Sequence, residues 1–188
     1  MQSEILTNER VITAFIGALV ALFLKVFYDY IIELKRREDI RKMIYIDLVN
    51  QKEAYTLLKG ICEQLVKFAN DEIDYYSLQN SDLLSTNVFK SYTARDYYKT
   101  FNKEYYKRLM FIYYNIELHS KNLIKIGYDK YIAELKENNE DVDEKFAKYF
   151  EELIKAYSYM ADYIEKQIEH HKKEYAIAKK IAEEKSAL

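Results

Sequence analysis

The sequence predicts an all-α protein: an N-terminal transmembrane helix followed by a helical bundle of three long helices plus a short helix. Three observations carry this. The chain has no proline and only three glycines, Gly17, Gly60 and Gly127, in 188 residues, whereas sheet proteins with many turns depend on both for their special backbone angles. Apolar residues recur three and four apart over most of the chain, the spacing of a helix face. One segment near the start departs from that pattern and is apolar almost without interruption.

That segment, residues 11–24, reads VITAFIGALVALFL, and apolar character resumes after Lys25 as VFYDYII. Lipid hydrocarbon is crossed by about 20 helical residues, so a spanning helix covers 11–32 and carries Lys25 and Asp29 toward one end. Lys25 can extend its charge to the headgroups, with Tyr28 and Tyr30 at the interface that amphipathic rings prefer. A cleaved signal peptide would begin with a basic region and end in small residues; here Glu4 and Glu9 precede the stretch and LFLKVFY follows it. A buried core helix is the other reading of a bare apolar run of 10–14 residues. The flanks favour the span: Arg10 stands alone before it, while Lys35, Arg36, Arg37, Arg41 and Lys42 follow, and basic residues are retained in the cytoplasm. The expected topology is single-pass in the inner (cytoplasmic) membrane, with 1–10 extracytoplasmic and 33–188 a cytoplasmic helical bundle. The same five cations are the expected contacts to anionic lipid.

From 35 to 69 the apolar residues Ile40, Ile44, Leu48, Tyr55, Leu58, Cys62 and Leu65 form one stripe, with Gln51 filling a place in it. Nothing forces a break between the span and this helix. Residues 70–93 are dense in Asn, Asp, Ser and Thr, which favour turns and caps; they predict a long connection with a helical turn near 81–85, and a candidate partner surface. A second long helix is expected from Ser91 or Thr93 to about Ile126, on the stripe Phe101, Tyr105, Leu109, Ile112, Ile116, His119 and Leu123, with Gly127 as its stop. A short helix over 130–137 follows. Asp143 is expected to cap the last helix, 144 to about 185, whose seam Phe146, Phe150, Leu153, Tyr157, Met160 and Ile164 alternates four and three apart. Beyond it the seam meets Gln167, His171 and Glu174, which predicts a projecting, solvated end or a contact with another subunit.

The chemistry-bearing residues are sparse. Lys and Arg total 29 against 31 Asp and Glu, a net charge of −2, which gives no general attraction to phosphate backbones, and nucleic acid is not an expected partner. His119, His170 and His171 are the only histidines. Adjacent imidazoles on a helix point about 100° apart, and neither HExxH nor a paired ExxH is present, so no metal, cofactor or catalytic residue is assigned. His119 lies on an apolar stripe, where an imidazole bonded to a Tyr or a carbonyl is the ordinary arrangement and a buried polar site the alternative. Three scattered glycines exclude a phosphate-cradling loop. Tyrosine reaches 20 residues, with doublets at 75–76, 97–98, 105–106 and 113–114 that put one ring inward and one outward; Tyr suits wet subunit interfaces.

The layout of one span, then ELKRREDIRKMIYIDLVNQ over 33–51, then a helical domain resembles small bacterial membrane-anchored proteins of antiphage loci, such as the HEPN-like pore-forming accessory proteins of type VI-B CRISPR systems. The resemblance rests on layout and length. It implies a homo-oligomer with a membrane pore. It does not imply ribonuclease activity, because HEPN nucleases carry an Arg, four to six residues and a His. Here Arg108 lies eleven positions before His119, and no Arg precedes His170 or His171 within sixty residues. The expectation is therefore an oligomeric membrane effector that touches lipid and its own copies, with Lys25 and Asp29 as the intramembrane or pore charges. The alternative is a non-enzymatic scaffold that tethers a cytoplasmic protein partner.

Overall fold

The computed structural model describes residues 2–73, 82–136 and 142–175, with side chains from residue 11 onward. Every regular element among them is helical: α1 (Gln2–Ala69), α2 (Asn87–Lys90), α3 (Ala94–Thr100), α4 (Lys103–His119), α5 (Leu123–Lys136) and α6 (Val142–Tyr175). The chain divides into two units, Met1–Ile40 and Arg41–Leu188, and α1 contributes to both.

In the first unit the side chains from Val11 to Ile32 are all exposed. This part of α1 holds the one stretch among the described residues that is long and apolar enough to cross a membrane.

In the second unit α1 presents the predicted stripe, and Ile44, Leu48, Tyr55, Leu58, Cys62 and Leu65 are all buried. The helix stops without a glycine. Asp71 takes a left-handed φ of 57°, and the amides of Asp71 and Glu72 donate back to the carbonyls of Phe68 (3.2 Å) and Lys67 (2.9 Å), a Schellman closure that satisfies the last carbonyls.

The helical turn expected near 81–85 lies instead at α2, and Ser81 falls outside the described residues. Residues 82–86 are not helical because the Ser85 backbone is paired elsewhere: its carbonyl accepts from Gln51 Nε2 (2.8 Å) and its amide donates to Gln51 Oε1 (3.4 Å). Gln51, the polar member of the α1 stripe, thus fastens the connection to the bundle. Phe89 of α2 stacks on Tyr113 with ring centres 4.2 Å apart. The described half of the 70–93 connection is therefore packed on its own chain.

The second long helix is not continuous. Thr93 opens α3 with a capping box, accepting from the Asp96 amide (3.3 Å) while its own amide donates to Asp96 Oδ2 (3.0 Å). The chain turns extended at Phe101, and Asn102 restarts it as α4 by accepting from the Tyr105 amide (2.8 Å). α4 ends at His119. Asn122, at φ 56°, then opens α5 by accepting from the Lys125 amide (3.3 Å). Gly127 consequently sits inside α5 and stops nothing. Its missing side chain admits the neighbouring helix: a Cβ there would stand 2.3 Å from the Tyr149 ring of α6.

α5 and α6 pair through Tyr131 stacked on Phe146 at 3.8 Å. Asp143 is already within α6, and it accepts from the Tyr131 hydroxyl (2.5 Å) in place of capping the helix. The seam of α6 is buried from Phe146 through Ile164 as expected, and it stays buried at Gln167 and His171. The end expected to be solvated is therefore core as far as His171; residues 176–188 lie outside the described residues.

Candidate functional site

Two sets of residues are candidates: the charges in and beside the apolar stretch of α1, and the polar groups inside the bundle.

Lys25 and Asp29 are one helical turn apart, yet no ion pair joins them among the described residues. A lysine N-terminal to an acid at this spacing is the less favourable order for pairing. Of the basic cluster, Lys35 and Arg36 are exposed and Arg37 holds Glu33 at 3.4 Å. Arg41 stands apart. Its guanidinium donates to the Thr100 carbonyl (3.1 Å) and lies 4.6 Å over the Tyr175 ring, so it is occupied within the bundle, where the sequence had placed it with the lipid contacts. Lys42 is half-buried.

His119 is half-buried, and its Nδ1 lies 2.9 Å from the Tyr55 hydroxyl. The Tyr55 and Tyr157 rings flank the imidazole at 5.6 and 5.4 Å. Burial lowers the histidine pKa and raises that of Tyr55, which keeps both neutral. With no carboxylate among these contacts, the arrangement is a structural hydrogen bond between helices.

Asp47 was not singled out in the sequence. It lies one turn before Gln51 on the same face of α1, is buried, accepts from Gln51 Nε2 (3.2 Å) and receives a short hydrogen bond from the Tyr113 hydroxyl. Burial raises its pKa despite both hydrogen bonds. The signal that could have found it is positional: an Asp one place before Leu48, inside the arc that the stripe buries.

His171 is the most enclosed polar residue, with no exposed surface. Its Nε2 faces the Arg41 carbonyl (3.1 Å), which can only accept, so Nε2 carries the proton and Nδ1 accepts from the Tyr105 hydroxyl (2.6 Å). Rings of Tyr45, Phe101, Tyr105 and Tyr175 surround it, the nearest centred 4.9 Å away. Burial holds its pKa down to about 4. His170, its neighbour, meets Glu174 (2.6 Å) and stacks on the Tyr105 ring with centres 5.4 Å apart.

Among the described residues no group of three or more His, Cys, Asp or Glu side chains is placed to hold a metal ion. Cys62 is buried, with its thiol pushed up to about 12, which is the inert state. A half-open, mostly apolar hollow of about 360 Å³ lies between α5 and α6 beside Gly127 and Tyr149, with Lys130, Glu134 and Lys145 among its walls. None of these groups forms a nucleophile–base pair.

No family model, no curated protein and no solved structure matches this chain.

Proposed function

We propose that the protein is an oligomeric membrane-anchored effector, forming a pore, in bacterial antiphage defence. The observation that supports this most directly is the first unit of α1, whose side chains from 11 to 32 are exposed and almost wholly apolar. At 1.5 Å per residue those 22 positions extend about 33 Å, which matches the roughly 30 Å hydrocarbon layer. Basic residues concentrated after this stretch orient the second unit toward the cytoplasm and 1–10 away from it. Lys25 and Asp29 lie inside the span, where charges face a protein interior or a watery lumen. The antiphage setting is drawn from the resemblance in layout.

The test is dye release from vesicles containing the purified full-length chain. Release is expected from the wild type, and Lys25→Leu is expected to change its rate severalfold. Vesicles that stay sealed, or leakage indifferent to Lys25, would remove the pore.

A second reading, the tethered scaffold, is favoured by an aromatic surface on the bundle. Phe111 meets Tyr163 edge-on (5.1 Å), Tyr163 stacks with Tyr159 (6.2 Å), and Tyr114 and Tyr159 are exposed. Sealed vesicles together with loss of partner capture in Tyr159→Ala would support it.

A further inference from the structure

The exposed stretch of α1 is not uniform around its circumference. With about 100° between successive residues, Gly17, Ala21, Ala14, Lys25, Ala18 and Asp29 fall in that angular order within a wedge of about 120°. Between positions 12 and 27 the wedge contains only those small residues and Lys25, with Val11 at its edge and Tyr28 and Ile32 inside it at the level of the charges, while Phe15, Ile16, Leu19, Val20, Leu22, Phe23, Leu24, Val26 and Phe27 all lie outside it. The chain's own fold does not account for the asymmetry. A Cβ added at Gly17 would meet nothing within 4 Å, so no neighbour within the chain needs the glycine, which costs about 0.5–1 kcal/mol relative to Ala in a helix interior.

Small residues on one side of a spanning helix let a second backbone approach closely, and polar groups in hydrocarbon seek partners on that neighbour. The wedge ends in a cation and an anion that do not pair with each other within the helix. They are offset by four residues, about 6 Å along the axis, a distance that a lysine stem covers. Two parallel copies meeting on this face at equal height bring Asp29 of one within reach of the Lys25 stem of the other, one turn along, so the face accepts a copy of itself in both shape and charge.

We infer that the spans of neighbouring copies associate in parallel through the Ala14, Gly17, Ala18 and Ala21 face, locked by an ion pair between Lys25 of one copy and Asp29 of the next. The inference rests on the oligomeric reading above and specifies its membrane contact. Pairing across the seam also satisfies the two charges that lipid would otherwise surround, since an unpaired charge at membrane depth is costly.

The experiment measures the particle mass of the detergent-extracted full-length chain over a range of detergent dilution. Lys25→Asp and Asp29→Lys should each weaken assembly about tenfold or more, and the double exchange, Lys25→Asp with Asp29→Lys, should restore most of the loss. Ala21→Leu and Val20→Leu both keep the segment apolar and inserted; the first should weaken assembly and the second should not. If the wild type has the mass of a single chain, the oligomeric reading and this contact fall together. If the wild type is an oligomer and the variants assemble as it does, or the double exchange is no better than the single ones, the contact alone is overturned.

Discussion

The two stretches of α1 satisfy their apolar residues in opposite ways. Over 44–65 the helix buries a stripe and turns Glu53, Glu63 and Gln64 outward. Over 11–32 it is apolar on nearly every side, and nothing in its own unit covers it. The difference teaches that periodicity identifies the solvent of a helix: a stripe calls for protein on one side and water on the other, whereas all-round apolarity calls for a medium that is greasy everywhere.

The strongest way to break the comparison is to truncate one leucine in each stretch. Leu48→Ala should lower the stability of the bundle by about 2–5 kcal/mol, because it leaves a cavity at a fully enclosed site, while Leu22→Ala should shift it by less than about 0.5 kcal/mol. Thermal unfolding in detergent, followed by near-ultraviolet circular dichroism of the tyrosines, reads both. Equal effects would mean that the first stretch is packed on protein.

Next in size is a dependence on pH. His171 is held neutral, with a pKa near 4 against an ordinary 6.5. The unfolded chain therefore takes up the proton first. The histidine's contribution is complete above pH 6.5, declines as the pH falls below that value, and is fully lost below about 4, a change of about 3 kcal/mol. His119 acts in the same direction, and Asp47, whose pKa is raised, in the opposite one. His171→Gln should lower stability at pH 7.5 and flatten the profile between 6.5 and 4; an unchanged profile would show that the imidazole is not enclosed. A further loss is expected of Tyr113→Phe, about 1–3 kcal/mol, from leaving the Asp47 carboxylate short of a donor. It should be measurable by urea unfolding and should shrink in an Asp47→Asn background.

Much of this fold was legible in the sequence because buried stripes announce themselves by spacing. Ile44, Leu48 and Leu65 in α1, and Phe146 through Ile164 in α6, were read as core and are core. Two tyrosine doublets behaved likewise, with Tyr97 and Tyr113 inward and Tyr98 and Tyr114 outward; in a third Tyr105 is buried and Tyr106 half-buried, and 75–76 lies outside the described residues. What escaped was whatever leaves the period intact. The break at Phe101 and Asn102 is silent because Phe101 and Tyr105 remain four apart across it. Gly127 looked like a helix stop because the same residue type serves for termination and for close approach. His171 looked solvated because the residues that enclose it, Tyr45, Phe101 and Tyr105, come from distant parts of the chain. Of the candidate site, Lys25 and Asp29 could be read directly from their place in an apolar run. The pair of Asp47 and Tyr113 could not, being 66 positions apart.

The buried tyrosines carry one more consequence. Helices joined only by aliphatic seams can slide past one another by a turn and find a nearly equivalent fit. Here the hydroxyls of Tyr55, Tyr97, Tyr105, Tyr113 and Tyr131 each meet one named acceptor or imidazole. A slip of one turn, about 5.4 Å, would strand several of them at once in a dry interior, at about 1–3 kcal/mol apiece. The phenols act as keys that fix the register of the bundle, so that a core rich in interchangeable rings still closes in a single way.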